Sequence, residues 1–135
     1  MAGPTTSGLA ALQAGEDWHY VGDTDEPAFL NGWVNFGGAN AAALAFRIRE
    51  AGVVDIQGVI KDGTNVTVFT LPEGYRPTTI VQVPITVRAP STTNTSAGIM
   101  AVDTSGDVRV FYNNGSFPGT VFVYGQVFLS PPAVP

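Results

Sequence analysis

Cysteine is absent from the 135 residues, which removes disulfide frameworks, thiolate metal sites and thiol nucleophiles together. Histidine occurs once, at His19, so a structural zinc site or a multi-histidine iron or copper site lacks its ligand set. Charge is scarce: 13% of residues are charged, about half the usual ~25%. Basic residues are scarcer still, 6 Lys+Arg against 11 Asp+Glu for a net charge of −5. Nucleic-acid binding needs a basic stripe, and this composition cannot build one, so no nucleic-acid partner is expected. No apolar run approaches the ~18 residues of a membrane span, and no basic-then-apolar signal opens the sequence. Membrane insertion and a secretory leader are therefore not expected.

What is present reads as β-structure. Val, Ile and Thr are abundant, as β-branched residues are in strands, and 16 Gly with 10 Pro fall between the apolar runs as turn markers. No window sustains a 3.6-residue apolar stripe. Residues 1–17 are small and mostly uncharged and read as a flexible leader or neck, with one domain over 18–135. In that domain Leu44, Phe46 and Ile48 alternate with Ala45, Arg47 and Arg49, and Glu50-Ala51-Gly52 turns the chain into Val54, Ile56, Gly58 and Ile60. Asp62-Gly63 reads as a two-residue hairpin turn leading to 65–71. Val81, Val83, Ile85 and Val87 give the cleanest alternation, interrupted at Pro84, which lacks an amide donor and marks an edge or a bulge. Residues 99–103 and 107–112 form another hairpin, and 121–129 closes the domain. The expected fold is all-β: an antiparallel β-sandwich, jelly-roll-like, of eight to nine short strands.

Two patterns reach beyond the single strand. Displacing the sequence by 54 positions lays Phe46, Ile48, Gly52, Val54 and Ile56 on Met100, Val102, Gly106, Val108 and Val110, two hairpins of one design. In the last strand Val121, Val123 and Val127 interleave with Phe122, Tyr124 and Phe128, so both faces are apolar. A strand with one face in the core needs a partner for the other, and a second copy of a low-charge chain is the simplest one.

The order and spacing of Asn31-Gly32-Trp33-Val34-Asn35, Gly52-Val53-Val54-Asp55-Ile56-Gln57-Gly58, Phe69-Thr70-Leu71-Pro72-Glu73-Gly74-Tyr75-Arg76-Pro77 and Gly106-Asp107-Val108-Arg109-Val110 resemble the C-terminal tip domains of bacteriophage tail fibres and receptor-binding proteins. The likeness spans about residues 18–129, and the nine residues from Phe69 are its most specific part. It implies a β-sandwich that assembles as a homotrimer in the virion, at the phage tail. It also implies attachment to a host cell-surface glycan, with other tail proteins as neighbours. The end of the chain departs from the pattern, with Val123-Tyr124-Gly125-Gln126-Val127-Phe128-Leu129 where such domains often carry Trp and Ser-Leu. No binding residue is therefore carried over from the family. The alternatives are a purely structural trimerising tail or baseplate domain, and a carbohydrate-binding module.

The residues themselves point to binding without catalysis. A Ser-His-Asp triad would have to use His19, between Trp18 and Tyr20, and no Gly-x-Ser-x-Gly elbow presents a nucleophile. Most carboxylates fall in turns rather than as a facing pair. Asp23-Thr24-Asp25-Glu26 lacks the ligand spacing of a calcium loop and reads as a solvated turn. Gly37-Gly38 has no Lys or Ser/Thr at the offset of a phosphate loop. No catalytic residue, metal ligand or cofactor is assigned. Arg76 reads as a corner residue fit to donate to backbone carbonyls or a carboxylate, beside Tyr75, which covers the core rim with its hydroxyl in water. Saccharides use aromatic planes and side-chain amides, which places the candidate ligand site at Tyr112, Asn113, Asn114 and Phe117, with Trp33 next. An anionic receptor would need Arg76, Arg88 or Lys61 drawn in locally.

Overall fold

The computed structural model describes residues 16–50, 52–89, 94–112 and 119–129. Among them there is no helix, and nine antiparallel strands form one sheet. These are β1 (His19–Tyr20), β2 (Val34–Asn35), β3 (Ala45–Glu50), β4 (Val53–Lys61), β5 (Thr67–Thr70), β6 (Val81–Arg88), β7 (Thr95–Val102), β8 (Asp107–Tyr112) and β9 (Thr120–Phe128). The spatial order is β1-β3-β4-β9-β6-β7-β8-β5, with β2 paired to β4 beyond the end of β3. The expected all-β, antiparallel architecture is present, with hydrogen bonds running through all nine strands as a single sheet curled into a half-barrel.

Alternation decides which face lines the curl. On β9, Val121, Val123 and Val127 are buried while Tyr124 and Phe128 are exposed. On β4, Val54, Ile56 and Ile60 point inward, and on β6 Ile85 and Val87 do the same. The curl brings the two ends of the strand path together across the core. Phe46 of β3 stacks on Phe69 of β5 with ring centroids 5.7 Å apart. The β1–β2 loop spans the remaining gap, where Leu30 N donates to Val68 O (2.7 Å) and Asn31 Nδ2 to Thr67 O (2.9 Å). No buried polar or charged residue interrupts the core among the described residues.

The two hairpins related by 54 positions are β3–β4 and β7–β8, one in each arm of the curled sheet. Pro84 pairs with Ile99 of β7, while β9 meets β6 only at Thr86, Val87 and Arg88. Its missing amide therefore faces a stretch where β6 has parted from β9 and no ladder bond is due. Asp62-Gly63 turns the chain, with Asp62 at φ 68°, but it does not make the expected hairpin. β5 crosses the core to pair with β8 instead. Gly63 serves a close approach: a Cβ there would lie 1.9 Å from Cε2 of Trp33. The nine-residue corner matches its reading more closely. Arg76 Nε donates to Leu71 O at 2.8 Å, and Tyr75 packs half-buried against the core. Its hydroxyl is not left to water, since it lies 3.1 Å from His19 Nε2.

Candidate binding face

The outward face of the β3-β4-β9-β6 arm carries the chemistry that the core does not use. Register fixes its rows, because directly paired residues point to the same side. One row runs Arg47–Asp55–Gln126, the next Ala45–Gln57–Tyr124, and two rungs further lies Lys61–Thr120–Arg88. Along β9 the outward residues are Thr120, Phe122, Tyr124, Gln126 and Phe128. Tyr124 is 57% and Phe128 55% exposed, with Ile80 the most exposed large apolar side chains of the described residues.

At the Phe128 end this face sinks into an open depression of ≈ 660 Å³. Its floor is an ion cluster: Asp55 takes Arg49 Nε at 3.2 Å and Arg47 Nε at 3.7 Å. The Arg47 guanidinium lies over the Trp18 ring, 4.4 Å from the centroid, which holds a charge and an aromatic plane in fixed relation. Gln57, Gln126, Tyr124 and Phe128 complete it. Asp55 is its one carboxylate among the described residues, so the facing pair that glycoside hydrolysis requires is not assembled there.

At the other end of β9 a second cleft of ≈ 340 Å³ opens between Phe36, the Gly37–Ala41 loop, Arg88 and Phe122. Arg88 lies over the Phe122 ring (4.8 Å) and Lys61 Nζ over the Phe36 ring (5.4 Å). Sequence reasoning named Arg88 and Lys61 as cations and placed Phe122 on an apolar face of the last strand, but it had no signal that one rung joins Lys61 to Arg88 or that the Arg88 guanidinium lies over Phe122. That information lies in the β4-β9-β6 register, which a single sequence does not display.

A third cluster joins the chain before β1 to the sheet. Glu16 N donates to Ile48 O and Ile48 N donates to Glu16 Oε1, each at 3.0 Å. His19 lies 2.8 Å from Glu26 through Nδ1 and 3.3 Å from Glu16 through Nε2, and its ring stacks on Phe46. Partial burial opposes charge on His19, but its bonds and attraction to Glu26 and Glu16 outweigh this and raise its pKa above the ordinary value. Burial likewise opposes charge on Glu16, and hydrogen bonds from Tyr75, Ile48 and His19 outweigh it, lowering that pKa. The Tyr75 hydroxyl is pushed up by burial and by its bond to Glu16. Glu26 of the acidic turn is thus engaged with His19, while Asp23 and Asp25 are exposed.

The sequence-predicted ligand residues are placed as follows. Trp33 is 1% exposed, its ring covered by Gly63 and its Nε1 donating to Asn65 O at 2.8 Å. Its planes are occupied by the core, so it offers a ligand no face. Tyr112 is half-buried at the end of β8 and packs against the core. Asn113, Asn114 and Phe117 lie outside the described residues.

These features define an all-β domain whose curled sheet encloses one core and leaves a long outer face dressed with aromatic, amide and arginine side chains. No protein-family model matches the sequence, and no curated protein matches it. Among solved structures the chain is similar to the crystal structure of the receptor binding protein (gp15) of Listeria phage PSA, with a TM-score of 0.62 and 18% identity over 97% of this chain and 83% of that one. The motif resemblance to phage receptor-binding proteins is thus met at the level of the fold.

Proposed function

We propose that the chain is a phage host-recognition domain that binds a saccharide of the host cell surface as a homotrimer, without catalysis. The observation that carries this reading is the fold correspondence with a phage receptor-binding protein across 97% of the chain. Within that reading the protein resides in the phage virion, and the two arms of the half-barrel act as the layers of a jelly-roll-like sandwich. The outer face of β9 supports self-association. Tyr124 and Phe128 stand more than half exposed beside Pro84 and Val83, and aromatic side chains of this kind are enriched in subunit contacts. Three linked sites raise weak single-site binding by avidity, so millimolar affinity for each saccharide unit is enough for attachment. The Tyr112–Phe117 turn is a second surface for that ligand.

The test is retention of fluorescently labelled protein on intact bacterial cells, Listeria among them, and on their purified wall glycans. Saturable retention on a subset of strains, abolished when the glycans are oxidised with periodate, is expected. Binding that survives glycan removal would replace the saccharide with a protein receptor. Light scattering is expected to give three times the 14.1 kDa of one chain, and a stable monomer would remove the trimer.

A further inference from the structure

The six cations of this acidic chain divide into two groups. Arg47 and Arg49 are held by Asp55, Arg109 lies 4.0 Å from Asp103, and Arg76 donates to Leu71 O. Lys61 and Arg88 rest on aromatic rings instead, with no carboxylate against either among the described residues. Among the described residues three arginine Nε atoms are buried without a hydrogen bond, those of Arg47, Arg88 and Arg109, but the first and last have their aspartates within 4.0 Å. Arg88 alone of the three has no anion. The covered Nε–H is not what a ligand would meet, but the Arg88 side chain is partly exposed and lines the open cleft, so its guanidinium, with no carboxylate against it among the described residues, can take an acceptor that arrives from outside.

The backbone places the second charge beside it. Lys61, Thr120 and Arg88 form one rung, and their neighbours Ile60, Val121 and Val87 are buried, so all three side chains face outward from backbone positions that, for Lys61 and Arg88, are two strand spacings apart, ~9.5 Å; Lys61 reaches the cleft at its rim, over the Phe36 ring. Stacking on Phe36 and Phe122 orders both cations in advance, which lowers the entropy lost on binding. The cleft of ≈ 340 Å³ lies near the lower limit for ligand pockets, ~300 Å³, and suits a single sugar-sized unit. Its other wall, the Gly37–Ala41 loop, contributes the Asn40 amide. Along β9 the cleft's Phe122 stands two residues, ~7 Å, from Tyr124 and six residues, ~20 Å, from Phe128, and Phe122 and Tyr124 border one shallow depression, so the cleft adjoins the self-association face.

We propose that the cleft between Phe36 and Phe122 is an anion-recognising saccharide subsite, which takes a sugar bearing a phosphate or a carboxylate through the Arg88 guanidinium, with Lys61 as the second charge. This rests on the host-recognition reading for the source of the sugar, but not for the binding itself. The planar Arg88 fork matches both anions.

The test titrates the ¹⁵N-labelled full chain at low salt with glucose 1-phosphate, glucuronate and glucose. The charged sugars are expected to bind at millimolar Kd and to shift the amides of 37–41 and Phe122. Binding should weaken as salt is added. The tighter of the two charged sugars identifies the anion. Arg88→Gln is expected to weaken binding about tenfold, Arg88→Lys to restore part of it, and Lys61→Gln to weaken it about threefold. Unchanged dispersion in the rest of the spectrum controls for folding. The proposal is overturned if glucose binds as tightly as the charged sugars, or if Arg88→Gln binds like the parent. Absence of any shift at 37–41 or Phe122 with tens of millimolar sugar overturns it as well. Cell attachment read in parallel separates the two claims: charged-sugar binding weakened in none of the variants refutes this subsite while attachment of the parent chain leaves host recognition standing, whereas sugar binding by a chain that attaches to no cell refutes host recognition alone.

Discussion

Gly58 gives the sharpest test of the curled architecture. It lies inward on β4, where that strand passes under the chain leading into β3, with φ 146°. A Cβ at this position would lie 2.4 Å from Leu44 Cα, 2.6 Å from Leu44 N and 2.8 Å from Ala43 C. All three are backbone atoms, so relief requires separating the chain at Leu44 from β4 by about 1 Å, at the expense of the Val59 N to Ala42 O bond. Overpacking costs ~1–3 kcal/mol and the unfavourable φ for a residue with a Cβ another ~1–3 kcal/mol. Gly58→Ala is therefore expected to lose about 2–6 kcal/mol, a large part of the ~5–15 kcal/mol typical of a domain. Gly125 is the matched control, also inward and on the adjacent strand. A Cβ there meets Val83 Cγ1 at 2.9 Å and Met100 Cε at 3.0 Å, side-chain atoms rather than backbone; Met100 can turn away and the stiffer Val83 has to shift slightly, so Gly125→Ala should cost ~1–2 kcal/mol. Urea unfolding followed by circular dichroism measures both. Equal losses for the two variants would refute the backbone contact between β4 and Leu44.

The His19 clasp predicts a pH profile whose sign follows from the two shifts. His19 is raised, so its contribution is complete below the ordinary 6.5 and disappears as pH rises through its folded value; Glu16 is lowered, so its contribution is complete above the ordinary 4.5 and is lost as pH falls. Thermal stability should therefore peak between these values, and His19→Gln should flatten the alkaline decline in calorimetry; an unchanged decline in the variant would contradict the assignment. Tyr124→Ala with Phe128→Ala is expected to reduce the light-scattering mass to that of one chain with the strand spectrum intact, because both side chains are already exposed. Tyr112→Ala should cost ~1–2 kcal/mol in urea unfolding, since the ring packs on the core. Asn114→Ala should leave stability unchanged and weaken cell attachment if the turn meets the ligand.

Strand positions were legible because burial on one face imposes a period of two: the inward set Val54, Ile56, Ile60 and the outward set Arg47, Arg49 fall where alternation put them. Pairing partners were less so. Asp62-Gly63 carries the chemistry of a hairpin turn, yet the chain leaves β4 to pair far away with β8. A turn signal fixes local direction and says nothing about which edge is free. Trp33 illustrates the same gap at the site. Its neighbours Asn31 and Asn35 suggest a polar loop, but Gly63, 30 positions on, supplies the flat surface that buries the ring. The double-apolar character of β9 was readable as a pattern, whereas the rung that joins Lys61 to Arg88 depends on two long-range registers. Local pattern therefore reaches the faces of strands, and long-range register decides which side chains share a site.

Host-surface recognition is the central claim, and cell retention of the purified chain tests it most directly. Labelled protein is mixed with a panel of bacterial strains, sedimented with the cells and measured as bound fluorescence against concentration. The account predicts saturable, strain-selective retention that periodate treatment of the cells abolishes. Retention by none of the strains, or equal and non-saturating retention by all of them, would contradict it.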